Sequence, residues 1–271
     1  MDNMRGIKVA VIGAGAIGGV VIDRLVIGAG AEPHDVVACE TRDARRDELA
    51  KHYGVRTSRD PTAASDCDLI IVAVPPLEVT RVLAAIGSRL NGRSVVVSFA
   101  AAVPVGLLES VLPPATPVAR INPNSPSLVG KGFNPVTYGT NLSPEARALV
   151  DRLLAALGAT VEVDDAAMNL YTALTAVGPT YFLPVIDAMI TAGIESGLTR
   201  EAAVAAAVAT AHGTADLAAQ RAENPEELKL FTGLRPLKDS EVRDLVRQAI
   251  AEAKARMDVV QQKIADTPPP Q

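Results

Sequence analysis

A glycine-rich turn near the N-terminus constrains this chain more than any other sequence feature. An apolar run over residues 7–12 leads directly into Gly13-Ala14-Gly15-Ala16-Ile17-Gly18, which matches G-x-G-x-x-G. In a strand–turn–helix unit the first glycine permits a tight turn, the second admits a pyrophosphate, and the third lets the helix pack on the strand. N–H groups at the helix N-terminus bind the phosphate oxygens. The motif predicts a dinucleotide site; the alternative is a glycine-rich turn without a ligand.

The first half of the chain alternates short apolar runs with amphipathic segments, which is typical of a parallel sheet wrapped by helices. Strands are predicted at Lys8–Ile12, Val36–Glu40, Leu69–Val74, Val95–Phe99, Val118–Ile121, Val136–Tyr138 and Thr160–Val163. Helices are predicted at Ala16–Ile27, Ala44–Tyr53, Leu77–Leu90, Val105–Leu112 and after Ser143, a natural N-cap. We therefore expect an α/β fold whose N-terminal Rossmann dinucleotide-binding domain spans residues 1–163.

From residue 164 onward, Ala-rich helical periodicity replaces the β-branched clusters. Helices are predicted at Pro179–Gly197, Arg200–Arg221 and Asp239–Ile264. Large side chains are too few here for these helices to form a hydrophobic core of their own. The helices are therefore expected to pack against a second copy of the chain. Residues 164–271 are thus predicted to form an all-helical dimerisation and substrate domain. The protein is expected to be a homodimer or a higher oligomer of dimers.

Composition narrows the class of function. The net charge of −5 and the lack of a basic stripe argue against nucleic acid as a partner. We predict no membrane span, because no uninterrupted apolar run approaches about 18 residues, and we expect a cytoplasmic protein. The two cysteines, Cys39 and Cys67, fit reduced core positions, and with three scattered histidines they give no metal-ligand spacing.

The second predicted strand ends on an acidic residue about 20 residues beyond the glycines. At that place Glu40 can accept hydrogen bonds from the adenosine ribose and repel a 2′-phosphate, which weakly favours NADH. Arg42, Arg45 and Arg46 follow and could instead pair with a 2′-phosphate. Their alternative role is to form the solvated first turns of a helix. NAD(P)H is therefore the predicted cofactor, with a small preference for NADH.

Two further segments lie at predicted strand ends. Ala73-Val74-Pro75-Pro76 follows one apolar strand, and Phe99-Ala100-Ala101 follows the next. Open α/β sheets hold their ligands at the carboxyl ends of strands, and small residues there leave room for the nicotinamide half of the cofactor. Alternatively, these residues only end the strands and begin the loops that follow.

These motifs together resemble the pyrroline-5-carboxylate reductase family, from Ile7 to about Leu230. The matching segments are Ile12 to Gly18, Ala73 to Pro76, Ser98 to Ala102, Arg120-Ile121-Asn122-Pro123-Asn124-Ser125-Pro126, Gly178-Pro179-Thr180-Tyr181 and Gly197-Leu198-Thr199-Arg200-Glu201-Ala202. The resemblance implies reduction of a cyclic imine to a secondary amine with NAD(P)H, at a site where the helical domains of two subunits meet. The cofactor-binding residues are then Ile12, Gly13, Ala14, Gly15, Ala16, Ile17, Gly18, Glu40, Arg42, Ala73, Val74, Pro75, Pro76, Phe99, Ala100 and Ala101.

The chain departs from the family pattern at three places. Pro75 stands where the family has a lysine in Ala-Val-Lys-Pro, and Thr175-Ala176-Val177 replaces Ser-Gly-Ser. The Ser-Pro-Gly-Gly-Thr-Thr loop, which holds the substrate carboxylate in the family, is replaced by the sequence of residues 231–237. This replacement offers Thr232 and Arg235 as substrate-binding groups. A related imine, or a bulkier and less charged substrate, is therefore expected, and pyrroline-5-carboxylate itself is the alternative.

Hydride transfer needs the acceptor carbon placed against the nicotinamide and, for an imine, one weak proton donor. Thr175 and Tyr171 are the predicted catalytic residues, and Asn124 is predicted to orient the carboxamide or the substrate. Each has a structural alternative. Thr175 can bond its own preceding helical turn, Tyr171 can pack in the core, and Asn124 can stabilise a turn.

Three functions remain open on the sequence. The first is reduction of a cyclic imine. The second is oxidation or reduction of a hydroxy or keto acid, and the third is dinucleotide binding without turnover. Assay of NADH and NADPH against imines and keto acids separates the three.

Overall fold

The computed structural model describes residues 4–90, 92–221, 233, 234 and 236–267. Eight strands form one sheet: β1 (Val9–Ile12), β2 (Val36–Cys39), β3 (Arg56–Ser58), β4 (Leu69–Val72), β5 (Val95–Ser98), β6 (Val118–Ile121), β7 (Gly132–Tyr138) and β8 (Gly158–Glu162). Their order is β3-β2-β1-β4-β5-β6-β7-β8. The first six are mutually parallel in the Rossmann order, with a crevice expected at the carboxyl ends of β1 and β4, where the order reverses.

The central strands are apolar because helices cover both faces of the sheet. All four residues of β1, β2, β4 and β5 are buried. The covering helices are α1 (Ala16–Asp23), α2 (Asp43–Tyr53), α3 (Val79–Gly87), α4 (Val105–Val111) and α5 (Pro144–Leu157). Two apolar clusters result, one on each face, and they hold the strand ends that line the crevice in fixed positions.

The last strands depart from the parallel pattern. Strand β7 runs antiparallel to β6 and parallel to β8, and α5 connects β7 with β8. Helix α5 begins as expected: the Ser143 hydroxyl accepts a hydrogen bond from Ala146 N at 3.2 Å, and Pro144 is the first helical residue. The sheet is therefore mixed.

Several boundaries differ from the sequence-based predictions. Strand β3 was not predicted, because a three-residue polar segment carries no apolar signal. Strand β7 begins at Gly132 rather than at Val136. Helix α1 ends at Asp23 and continues as a π-helical turn, Arg24–Gly28. A second such turn, Thr172–Ala176, follows α6 (Met168–Tyr171).

The chain divides into two compact units, residues 1–177 with 251–271 and residues 178–250. This division differs from the predicted boundary after residue 163, since residues 164–177 and the end of the last helix belong to the unit that contains the sheet. That last helix is α9 (Asp239–Ala265).

The second unit consists, in its described part, of α7 (Pro179–Glu195), α8 (Arg200–Arg221) and the N-terminal part of α9. Small residues bring α7 and α8 together; a Cβ added to Gly193 would lie 3.1 Å from the Ala203 Cβ. Within the described chain, α7 buries none of its residues, and Phe182 and Leu183 are 69% and 58% exposed. One copy of the chain thus leaves a large apolar surface on this unit.

In the part of the chain that the structure describes, two helical stretches are long and apolar enough to cross a membrane, by length and composition alone. They are Asp165–Glu195 and Arg200–Arg221, and 11% of the most apolar window of each is buried. Helices that pack against another subunit can meet the same criteria. The absence of a membrane partner therefore stays a prediction.

Candidate functional site

The glycine turn is shaped by close contacts with two neighbouring strands. Gly13 has φ of +89°, and its N–H donates to the Cys39 carbonyl at 2.8 Å. A Cβ at Gly13 would come within 2.8 Å of the Ala73 backbone, and one at Gly18 would overlap the Gly13 carbonyl. The first and third glycines are therefore required by the fold itself.

Gly15 is different, because the protein leaves space in front of it. A Cβ there would meet only Arg42 Nη2, at 3.8 Å. Gly15 is also the N-cap of α1 and no side chain caps that helix terminus. The bare backbone at Gly15 therefore leaves N–H groups available to a ligand, as pyrophosphate binding requires.

A cleft of about 870 Å³ opens in front of this turn. Of the sixteen residues predicted to bind cofactor, fourteen line it: Ile12, Gly13, Gly15, Ala16, Ile17, Glu40, Arg42, Ala73, Val74, Pro75, Pro76, Phe99, Ala100 and Ala101. Ala14 and Gly18 do not line the cleft; both are buried beneath the turn. Its volume suits a ligand of nucleotide size.

At one end of the cleft, beside β2 and β3, an ion pair is already formed. The Glu40 carboxylate accepts hydrogen bonds from Arg42 N and Nε, each at 3.1 Å, and from Arg42 Nη2, also at 3.1 Å. The hydrogen bonds from the Arg42 side chain hold the pKa of Glu40 below its usual value despite burial. Glu40 is thus ionised, but its charge is largely balanced by Arg42.

The two arginines that follow have structural partners. Arg45 Nε donates to the Ala14 carbonyl at 2.9 Å, and Arg46 Nη1 donates to the Glu40 carbonyl at 2.7 Å. They support the glycine turn and the end of β2. Because both side chains are bonded to backbone carbonyls, they are not simply solvated side chains on the first turns of the helix. Neither arginine lines the cleft.

Several lining residues were missed by the sequence analysis. They are Cys39, Arg59, Pro61, Glu78, Arg81, Val82 and Ala85. Arg59 and Pro61 follow the unpredicted strand β3, and the others adjoin predicted residues or lie on α3. Cys39 is a buried free thiol whose pKa burial raises to about 12, so it contributes packing rather than a nucleophile.

The opposite end of the cleft is apolar and tightly fixed. Ala73 N donates to the Ile12 carbonyl and Phe99 N to the Val72 carbonyl, each at 2.8 Å. These hydrogen bonds extend the sheet by one residue beyond β4 and β5, which aligns the segments Ala73 to Pro76 and Phe99 to Ala101. Small side chains there leave space for a flat ring.

Asn124 and Thr175 are brought together, but through structural hydrogen bonds. Asn124 Nδ2 donates to the Thr175 carbonyl and Asn124 Oδ1 accepts from Phe133 N, each at 3.1 Å. The Thr175 hydroxyl donates to the Tyr171 carbonyl at 2.8 Å, one helical turn back. Among the described residues, these three are not part of the cleft lining. Thr232 and Arg235 lie outside the described residues.

A buried polar network beside this segment was also missed. Arg120, with no exposed surface, donates to Asp165 at 2.7 Å and to Asn169 at 3.2 Å. Asn169 Nδ2 donates in turn to Gln261 at 2.7 Å. The network fixes the start of α6 and the end of α9 against β6.

Two protein-family models match the chain. One, described as "NADP oxidoreductase coenzyme F420-dependent", covers residues 8–102 and includes the glycine turn. The other, described as "Pyrroline-5-carboxylate reductase dimerisation", covers residues 165–259. Its start lies close to the predicted boundary after residue 163.

Curated relatives match over most of the chain. The pyrroline-5-carboxylate reductase of Corynebacterium melassecola is 32% identical over 225 residues, which are 82% of this chain and 83% of that protein. That of Methanosarcina acetivorans is 27% identical over 266 residues, which are 94% and 97% of the two chains. The similarity therefore extends through both units.

The fold is also similar to that of solved structures. The pyrroline carboxylate reductase of Plasmodium falciparum, crystallised with NADP bound, superposes with a TM-score of 0.84 at 20% identity. The match covers 96% of this chain and 100% of that one.

Proposed function

Because the chain belongs to the pyrroline-5-carboxylate reductase family, we propose that it reduces a cyclic imine to a secondary amine with NAD(P)H. One observation carries the proposal most directly. The Gly15 backbone faces an open cleft that the protein does not fill, at the N-terminus of α1, as a pyrophosphate site requires. The family match supplies the class of reaction.

The residues of the cleft fit a dinucleotide along its whole length. The turn from Gly13 to Ile17 would hold the pyrophosphate, and Glu40 would accept hydrogen bonds from the adenosine ribose. The segments Ala73 to Pro76 and Phe99 to Ala101 would hold the nicotinamide ring and exclude water from it. The bound cofactor supplies a hydride, and the chain supplies position and a dry surface.

Thr175 and Tyr171 remain the proposed proton-donating residues. In the structure the Thr175 hydroxyl hydrogen is directed to the Tyr171 carbonyl, so this bond has to break before Thr175 donates to an imine nitrogen. The π-helical turn that carries Thr175 supports a functional role, since such turns are frequent at functional sites. Asn124 then acts as a positioning residue, through its bond to the Thr175 carbonyl.

The proposed substrate is a less charged or bulkier imine than pyrroline-5-carboxylate. The Ser-Pro-Gly-Gly-Thr-Thr loop is missing, and Thr232 and Arg235 are the proposed replacements. Each charge-assisted hydrogen bond to a carboxylate contributes roughly 1.5–3 kcal/mol, so losing two lowers specificity on the order of 10²-fold or more.

We also propose a cytoplasmic homodimer, or a higher oligomer of dimers, without nucleic-acid or membrane partners. The match of residues 165–259 to the dimerisation family supports the dimer, as does the exposed apolar surface of α7. A domain boundary after residue 163 is retained in this proposal as the functional division.

The decisive experiment follows NADH and NADPH absorbance across cyclic imines with and without a carboxylate, together with keto acids. We expect turnover of imines, and an efficiency with pyrroline-5-carboxylate below about 10⁵ M⁻¹s⁻¹. A higher efficiency would show that the substituted loop binds the carboxylate. Turnover of keto acids alone would establish a carbonyl enzyme, and binding without oxidation of either nucleotide would establish a sensor.

A further inference from the structure

Strand β3 brings one arginine to the ribose end of the cleft. Cys39 and Ser58 are paired in the β2–β3 register, and Glu40 N donates to the Ser58 carbonyl at 3.0 Å. Arg59 therefore follows β3 at the same sheet edge at which Glu40 follows β2, and both side chains line the cleft.

The other cations near this cleft are already engaged. Arg42 is paired with Glu40, and Arg81 donates to Glu78 at 2.8 Å. Arg45 pairs with Glu48 at 2.8 Å, and Arg46 pairs with Asp43. Arg59 is exposed. Within the described part of the chain, its side chain forms no hydrogen bond or ion pair. Among the charged residues that line this end of the cleft, Glu40 and Arg42 balance each other, which leaves the charge of Arg59 unbalanced.

We propose that Arg59 recognises the 2′-phosphate of NADPH. The inference rests on the proposed dinucleotide site. Glu40 still has capacity to accept a ribose hydroxyl, because its Oε2 atom accepts one hydrogen bond, from Arg42. A guanidinium beside it offers the planar fork that suits a phosphate. The sequence-based preference for NADH assumed that Glu40 repels the phosphate, and that premise is weakened by the pairing with Arg42.

Binding of NADP⁺ and NAD⁺ to the full chain, measured by titration calorimetry without any imine, tests this role. Arg59→Met should weaken NADP⁺ binding about tenfold or more, the scale of one lost charge-assisted hydrogen bond, and change NAD⁺ binding less than about twofold. Arg89→Met is the matched control: Arg89 is also an exposed arginine, and it does not line the cleft. It should leave both affinities unchanged. Thermal melting establishes that both variants are folded.

Four results would overturn the inference. Equal weakening of both nucleotides by Arg59→Met would show a general effect on the cleft. No effect of Arg59→Met, with loss of NADP⁺ binding in Arg42→Met, would assign the phosphate to Arg42. Failure of the native chain to bind either nucleotide would remove the proposed function as well, whereas binding of both with an unaffected Arg59→Met variant removes the inference alone.

Discussion

The three glycines of the turn perform separable tasks. Gly13 and Gly18 are fixed by contacts within the protein, whereas the space in front of Gly15 is open. We predict that Gly15→Val abolishes NAD(P)H binding and leaves the melting temperature nearly unchanged, because the added methyl groups enter the volume that a pyrophosphate needs. Fluorescence titration with NADH and a thermal melt measure both effects.

Two control variants sharpen that test. Gly106→Val makes the same substitution on the exposed face of α4, where nothing lies within 4 Å, and should change neither property. Gly18→Val should destabilise the fold, because its Cβ overlaps the Gly13 carbonyl. Native affinity in a folded Gly15→Val protein would mean that the site is wrongly placed.

The buried Arg120–Asp165 pair yields a second residue-scale prediction. Burial lowers the pKa of Arg120, and Asp165 offsets this by pairing with the guanidinium at 2.7 Å. Removing Asp165 leaves the buried charge of Arg120 without its counter-ion. Asp165→Ala should therefore destabilise the protein by about 3–5 kcal/mol in urea unfolding. Glu162→Ala breaks an exposed pair with Arg147 and should change stability by about 0–1 kcal/mol. Similar losses in the two variants would contradict this account.

At the residue scale, the sequence predicts which residues lie together where the physical cause is local. The glycine spacing predicts contacts within one turn, and fourteen of the predicted residues do line the cleft. Arg59 was missed because its position depends on pairing between two strands. Asp165 was missed because it meets Arg120 across 45 residues of chain. For Thr175 the sequence left two roles open, and the helix geometry shows that its hydroxyl makes the structural bond, to the Tyr171 carbonyl one turn back.

At the scale of elements, the N-cap of α5 can be tested directly. Ser143 accepts a hydrogen bond from Ala146 N, which satisfies one of the free donors of the first turn. Ser143→Ala should reduce stability by about 1 kcal/mol, while Ser143→Asp preserves the cap and also favours the helix dipole. Denaturant midpoints of the two variants make the comparison. Equal midpoints would show that the cap contributes little here.

The strands that were predicted correctly have a strong apolar signal in the sequence. Strands β1, β2, β4 and β5 are continuous apolar runs, buried on both faces. Strand β3 is short and polar, and its existence follows from pairing with β2. The antiparallel direction of β7 depends on how residues 122–131 turn the chain, which apolar periodicity does not specify. Pairing partners and strand direction are therefore what the sequence pattern leaves open.

At the scale of the whole molecule, assembly is the main prediction. Light scattering of the native protein should give at least twice the chain mass of 28.2 kDa. Phe182→Asp places a charge on the exposed apolar surface of α7 and should produce monomers. Ile27→Asp is the control, since Ile27 is 66% exposed in the unit that contains the sheet. A monodisperse native monomer at micromolar concentration would contradict the dimer.

The apolar exterior of α7 has a kinetic consequence. All eight strands of the sheet belong to one chain, whereas the apolar surface of α7 is covered only after two copies of the chain have met. The final step of maturation is then second order, so recovery after dilution from denaturant should quicken as protein concentration rises. Before the two copies associate, each chain exposes the apolar surface of α7. The risk of aggregation therefore increases with the lifetime of the monomer.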